Sequence, residues 1–194
     1  MDTDCLKLSG YKIKKQIYVS AGSIIYQGQR ESDNLPVVLK VLKEDYPSKA
    51  ELIRYRQEYE ITRNLHLDGV IKAYNQDRYQ NSLFIVLEDF GGESLKFLME
   101  KYSFTLQELL KIFIEIAHSL GQIHGANVIH KDINPSNLVY NPATGQLKVI
   151  DFGIATTLPR ENPTFKNPNQ LEGTLFYISP EQTGRMNKSM DYLF

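Results

Sequence analysis

The run His130-Lys131-Asp132-Ile133-Asn134-Pro135-Ser136-Asn137, followed by Asp151-Phe152-Gly153, sets two carboxylates and an amide at fixed spacing in a chain of 194 residues. Phosphoryl transfer asks for such a set. It needs a carboxylate to take the proton of the acceptor hydroxyl, oxygen ligands for Mg²⁺, and a cation on the phosphates. Asp132 supplies the first. Asn137 and Asp151 offer the hard oxygens that Mg²⁺ takes alongside its waters and the phosphates. Lys40 is a candidate cation, set in the apolar stretch Val37-Val38-Leu39-Lys40-Val41-Leu42. Each residue alone has a plainer reading. Asp151 could close a turn after a buried strand, where Asp bonds its own backbone. A strand lysine without a role points to solvent. The order and spacing of the groups, continued by Gly173-Thr174 and Ser179-Pro180-Glu181, favour chemistry.

The elements that must hold these residues change character at Gly91-Gly92. Before it, Tyr11 to Tyr26 reads as two strands around a turn at Ser20 to Ser23, with β-branched and aromatic residues on both sides. Val37 to Leu42 reads as a buried strand, and Leu83 to Glu88 as another. Pro47-Ser48-Lys49-Ala50-Glu51 opens a helix running to about His66, with Ser48 and Glu51 spaced as a capping box. After the glycines, Leu106, Leu109, Leu110, Phe113, Ile116, Leu120 and Ile123 recur at helical spacing, which predicts an amphipathic helix from about Thr105 to His124. Two short strands are expected at Leu138 to Tyr140 and Leu147 to Ile150.

Composition sets wide bounds. The chain is 42% hydrophobic and 23% charged, as expected of a globular domain with a core. A net charge of -1 gives no general pull toward nucleic acid or an anionic membrane. One cysteine, Cys5, cannot form an internal disulfide, which fits a reducing cytoplasm. Met1-Asp2-Thr3-Asp4 lacks the basic flank and apolar stretch of a signal peptide. The longest apolar run, Leu83 to Leu87, has the length of a strand and not of a membrane span.

On these motifs the chain resembles the protein kinase family from about Tyr11 to its end. The resemblance implies an α+β fold of two lobes: a β-rich N-lobe with one helix and hinge (residues 11–92, after a tail of 1–10) and an incomplete helical C-lobe (93–194). ATP would bind in the cleft between them. It also implies roles. Lys40 would hold the α- and β-phosphates, braced by Glu58 on the helix. Positions 51, 55, 58, 62 and 65 share a helix face, and Glu60, the competing choice, would face away. Asp132 would orient the acceptor hydroxyl, with Asn137 and Asp151 on Mg²⁺. Ile17, Ile25, Val38, Leu87 and Leu138 would sandwich the adenine, and the backbone of Glu88-Asp89-Phe90 would read its edge. His130 would pack beneath the loop, as a structural residue. Ile154 to Ile178 would be the activation segment. There Thr174 would bond near Asp132 and shape a site for Ser or Thr, and Thr156, Thr157 and Thr164 are possible phosphorylation sites.

The chain departs from the family pattern in several places. Tyr18, Ser20 and Ser23 stand where the phosphate-gripping loop has glycines, so side chains limit close approach of the backbone. Val38 replaces a common alanine. Lys131 replaces an arginine and keeps its charge without the planar fork. Asn134 replaces a lysine that stabilises the transferring phosphoryl. Thirteen residues follow Glu181. The expectation is therefore a truncated C-lobe, lacking the arginine that pairs with Glu181. The helix face of Leu109, Phe113, Ile116 and Leu120 would be left partly open for a further domain or partner chain.

The stretches Val128 to Asn137 and Ile178 to Asn187 resemble most the N-terminal kinase domain of large bacterial, notably cyanobacterial, signalling proteins. Those proteins add an ATPase-like region, GAF sensors and a histidine kinase. The implied activity is transfer of the γ-phosphoryl of Mg·ATP to a protein Ser or Thr. Two other readings stand beside it. A non-catalytic nucleotide-binding or scaffold module is favoured by the missing glycines and by Asn134. A small-molecule phosphotransferase shares the catalytic spacing, but the Gly173-Thr174 to Glu181 ending argues against it.

Overall fold

The computed structural model describes residues 7–44, 46–157 and 174–178. They fall in two compact units. One comprises residues up to Arg63 together with Ile71–Gly91, and the other Asn64–Val70 together with residues from Gly92 onward. The fold class is α+β, as the sequence implied.

The first unit is a five-stranded antiparallel sheet with one helix. Its strands are β1 (Tyr11–Val19), β2 (Ser23–Arg30), β3 (Pro36–Leu42), β4 (Ala73–Tyr79) and β5 (Ser82–Glu88), in spatial order β1-β2-β3-β5-β4. β3 reads as apolar on both sides because both faces of the sheet are covered. Val37, Leu39 and Val41 pack with Leu8, Tyr26, Phe84 and Val86 on one face. On the other, Leu42 packs with Leu83, Ile85 and the tyrosines Tyr55 and Tyr59 of helix α1 (Lys49–Asn64). α1 starts as the sequence implies. Ser48 Oγ accepts from Glu51 N at 3.2 Å, while the Glu51 carboxylate accepts from Ser48 N at 2.8 Å. The helix stops at Asn64, just short of the expected His66.

β4 was not expected. Its sequence, Ala-Tyr-Asn-Gln-Asp-Arg-Tyr, has no apolar run, because an edge strand buries few of its side chains. The strand is created by pairing with β5, a non-local gain that no window of sequence displays.

The second unit holds β6 (Glu93–Ser94), α2 (Leu95–Lys101), α3 (Leu106–Gly125), β7 (Val128–Ile129), β8 (Leu138–Asn141), β9 (Gln146–Val149) and β10 (Thr156–Thr157). β6, β8 and β9 form one small sheet, and β7 pairs with β10. α3 is the predicted amphipathic helix. Thr105 caps it, accepting from Glu108 N at 3.3 Å while the Glu108 carboxylate accepts from Thr105 N at 2.8 Å. Its buried residues are Ile112, Ser119 and Ile123. Among the described residues the expected face is partly open: Phe113 is 60% exposed, and Leu109, Ile116 and Leu120 are half-buried; Leu106, Leu110 and Ile114 are also exposed. The segment before Val70 crosses α3 closely enough that a Cβ on Gly69 would lie 2.0 Å from Ser119 Oγ. Glycine there lets Val70 bridge to Val149 and its own carbonyl accept from Val149 N at 2.8 Å. β9 is thereby held in register just ahead of Asp151. Among the described residues, no helix is long and apolar enough to cross a membrane.

Candidate active site

In the first unit, Lys40 and Glu58 meet. Lys40 Nζ lies 2.5 Å from Glu58 Oε1, with side chains only 10% and 8% exposed. Period-two alternation turns Lys40 toward α1 while Leu39 and Val41 point away. The helical period turns Tyr55, Glu58, Tyr59 and Thr62 inward, and Glu60 is exposed, as expected. Glu51, on the same projected face, is exposed because it caps the helix. Tyr55 adds a tether that the sequence did not disclose. Its hydroxyl donates to the backbone carbonyl of Lys40 at 2.5 Å, and Lys40 Nζ lies 5.9 Å from its ring centre.

Cross-strand partners share a face of a sheet. Ile25 pairs with Lys40, and Val38 pairs with Leu87, so these four lie on one face. Ile25, Val38 and Leu87 are half-buried. Ile17 sits at a bulge of β1 between Gln16 and Tyr18 and is 50% exposed. Glu88 N donates to Lys72 O at 3.0 Å, and Glu88 Oε1 accepts from Lys72 N at 3.2 Å. Asp89 accepts from Gln27 Nε2 at 2.6 Å and from Gly91 N at 3.1 Å, which fixes the stretch ending at Phe90. The serines that replace glycines form a closed turn. Ser20 Oγ accepts from Ser23 N at 2.9 Å and lies 3.0 Å from Ser23 Oγ. Tyr18 points outward, 58% exposed.

In the second unit, the catalytic-loop residues converge. Asp132 Oδ2 accepts from Asn137 Nδ2 at 2.8 Å. Asp132 Oδ1 accepts from Thr174 N at 2.8 Å and from Thr174 Oγ1 at 2.6 Å. Thr174 thus sits where the sequence reading put it. Leu138, which follows Asn137, is buried at 4% exposure in β8. Two residues here have left-handed backbones, Lys131 at φ 67° and Asp151 at φ 65°. Such conformations cost a non-glycine residue about 1–3 kcal/mol and collect at functional sites.

The donor set suits a hard cation. Asn137 gives its amide nitrogen to the carbonyl and the carboxylate of Asp132, both at 2.8 Å, so its oxygen is the end of the amide suited to a hard cation. Asp151 is an exposed carboxylate at the end of the segment that β9 positions. No cluster of three His, Cys, Asp or Glu side chains occurs among the described residues, so a metal here would depend on oxygens from elsewhere.

His130 is structural in the way the sequence implied. It is 1% exposed and packs edge-on against Phe152, ring centres 4.7 Å apart. Its Nε2 donates to Ile150 O at 3.0 Å and its Nδ1 accepts from Asp132 N at 3.3 Å. One neutral tautomer satisfies both bonds. Burial pushes the His130 pKa below its usual 6.5, and a second ring proton would face the N–H of Asp132. The folded state therefore binds fewer protons than the unfolded chain, and stability falls as pH drops below about 6.5. Burial lowers His124 in the same direction. Urea unfolding between pH 7.5 and 5.5 should show this loss, and His130→Phe should flatten it; an unchanged slope in that variant would exclude His130 as the source.

Ser179, Pro180, Glu181, Gly173, Thr164, Cys5 and most of the expected activation segment lie outside the described residues. The protein kinase domain family matches residues 11–192. A serine/threonine-protein kinase of Corynebacterium efficiens is 32% identical over 167 residues, 82% of this chain and 32% of that protein. Serine/threonine-protein kinase PrkC of Bacillus subtilis is 29% identical over 179 residues, 91% of this chain and 27% of that one. Serine/threonine-protein kinase PknA of Mycobacterium tuberculosis is 28% identical over 183 residues, 90% of this chain and 42% of that one. The chain thus spans less than half the length of each of these relatives.

Proposed function

The chain belongs to the protein kinase domain family, and from that premise we propose that it is an ATP-dependent protein serine/threonine kinase domain acting in signal transduction. The observation that carries this reading is Asp132, held by Asn137 on one oxygen and by Thr174 on the other. A base needs a fixed direction relative to the hydroxyl it serves. In this reading Lys40, kept in place by Glu58, carries the phosphate charge. Ile17, Ile25, Val38 and Leu138 hold the adenine ring, and the backbone of Glu88 and Phe90 reads its edge. Asn137 and Asp151 hold Mg²⁺, which when bound neutralises charge on the phosphates. The acceptor is a protein Ser or Thr, and ATP as donor puts the reaction in the cytoplasm. Residues 11–92 and 93–194 would be the two lobes. The parent would be a bacterial signalling protein of the cyanobacterial multidomain type, with further domains covering the exposed side of α3.

A binding module without catalysis is the second reading. The closed Ser20–Ser23 turn favours it, since that turn spends hydroxyls and a backbone N–H on itself. Thermal unfolding with and without Mg·ATP tests the common ground. A ligand at 100 times its Kd stabilises by about 2.7 kcal/mol. An upward shift in Tm that Asp151→Asn abolishes is expected. Absence of any shift at millimolar Mg·ATP would sink both readings. Binding without phosphate transfer to any protein acceptor, the chain itself included, would leave the second.

A further inference from the structure

Asn134 occupies the place of a lysine and carries no charge, yet it is buried and all its hydrogen bonds run within the loop and to Thr174. Those bonds fix its orientation. The Ser136 backbone N–H lies 2.9 Å from one end of the amide; an N–H only donates, so that end is Oδ1 and the other is Nδ2. Nδ2 lies 3.2 Å from Asp132 O and 3.2 Å from Thr174 Oγ1, and having two protons and no lone pair it donates to both. Thr174 Oγ1 therefore accepts on that side. Its one proton goes to Asp132 Oδ1, 2.6 Å away. The Thr174 N–H fills the second position on the same oxygen. Asp132 Oδ2 takes a single donor, Asn137 Nδ2. A carboxylate has about four lone-pair sites, so the one left open is on Oδ2.

We propose that Asn134 is a positioning residue that aims the Thr174 hydroxyl at Asp132, saturating Oδ1 and leaving Oδ2, beside Asn137, as the oxygen that serves the acceptor. This rests on the kinase reading above. In the transfer, the acceptor Ser or Thr oxygen forms its bond to the γ-phosphorus and the bond from phosphorus to the ADP oxygen breaks. ADP leaves with those electrons, and the acceptor proton goes to Oδ2. Without the amide contact, the Thr174 side chain is freer to rotate about χ1 and carry its hydroxyl away from the carboxylate. Oδ1 then opens as a second, misdirected site for the acceptor. Asn134 thus acts in a way a lysine's charge does not: both its amide protons are used inside the protein, and none is left for the phosphoryl group.

The test is a double-mutant cycle on the full chain, reading kcat and KM for ATP and for a Ser/Thr protein acceptor. Asn134→Asp keeps an oxygen for the Ser136 N–H and removes the donor; Asn134→Ala removes both, so the aspartate variant guards against loss of the loop itself. Each is expected to lower kcat on the order of 10²-fold, the scale of an ångström-level misplacement, with KM for ATP unchanged. In a Thr174→Val background the same changes are expected to add little, because the hydroxyl they control is gone. Losses that multiply in the combined variants would overturn the proposal and point to a direct role for Asn134. A KM effect with kcat intact would overturn it too. If the unaltered chain transfers no phosphoryl to any acceptor, the kinase reading fails first and the assignment of Oδ2 falls with it.

Discussion

Asp132→Asn is expected to lower kcat for phosphoryl transfer by about 10²–10⁴-fold, the range general bases contribute, while Mg·ATP binding persists. The substitution is nearly isosteric. Its retained oxygen can still accept from Thr174, whose N–H and hydroxyl both lie within 2.8 Å of Oδ1. The new amide would stand where Oδ2 accepts from Asn137 Nδ2 at 2.8 Å, setting two donors against each other. Asn137 would then turn, so metal affinity is the secondary loss to watch. Steady-state rates with a Ser/Thr protein acceptor, beside the nucleotide-dependent shift in Tm, separate the two effects. Transfer at an undiminished rate would remove Asp132 as the base and leave the catalysis to another group.

The second large effect is on stability. Glu58→Leu leaves Lys40 buried beside an apolar side chain, in a site where both partners are no more than 10% exposed. Breaking a buried pair from one side costs about 3–5 kcal/mol, because the surviving charge loses that carboxylate in a site with little access to water. Lys40→Met combined with Glu58→Leu is expected to recover most of that loss, since an apolar pair of similar volume suits the packing between Leu42, Tyr55 and Ile85. Urea titrations of the two single variants and the double variant measure the coupling. A Glu58→Leu loss under 1 kcal/mol would show that the pair is solvated in solution. The double variant should fold yet bind Mg·ATP weakly, which divides what the pair does for the fold from what it does for phosphate.

Much of this arrangement was legible in residue types and spacing. Lys40 stood out because a charge interrupted an apolar strand. Ser48 and Glu51 marked a helix start, and the repeat from Leu106 to Ile123 marked α3, whose second capping box at Thr105 and Glu108 went unread although its spacing is the same. What escaped has a common cause. β4 and the two-residue strands β7 and β10 exist through pairing with distant strands, so their own sequences carry little signal. α2 is seven residues long, too short for a period to show, and is announced only by the cap on Ser94. The tether from Tyr55 to the Lys40 carbonyl depends on a backbone acceptor. The bond between Asn134 and Thr174 spans forty positions of sequence, and residue types alone marked Asn134 only as a missing cation.

The left-handed backbone at Asp151 has a consequence for how this chain would drift under mutation. A single base change in an aspartate codon reaches Asn, Gly, His, Tyr, Ala, Val or Glu. The β-branched and bulky members of that set meet steric strain at φ 65°, whereas asparagine and glycine sit there with ease. The replacements that the loop tolerates best are therefore ones that delete the carboxylate. A lineage released from selection for catalysis would lose this charge before it lost the fold. Descendants would be intact proteins carrying Asn or Gly at this position, so the residue found there in a relative reads out whether chemistry was still being selected.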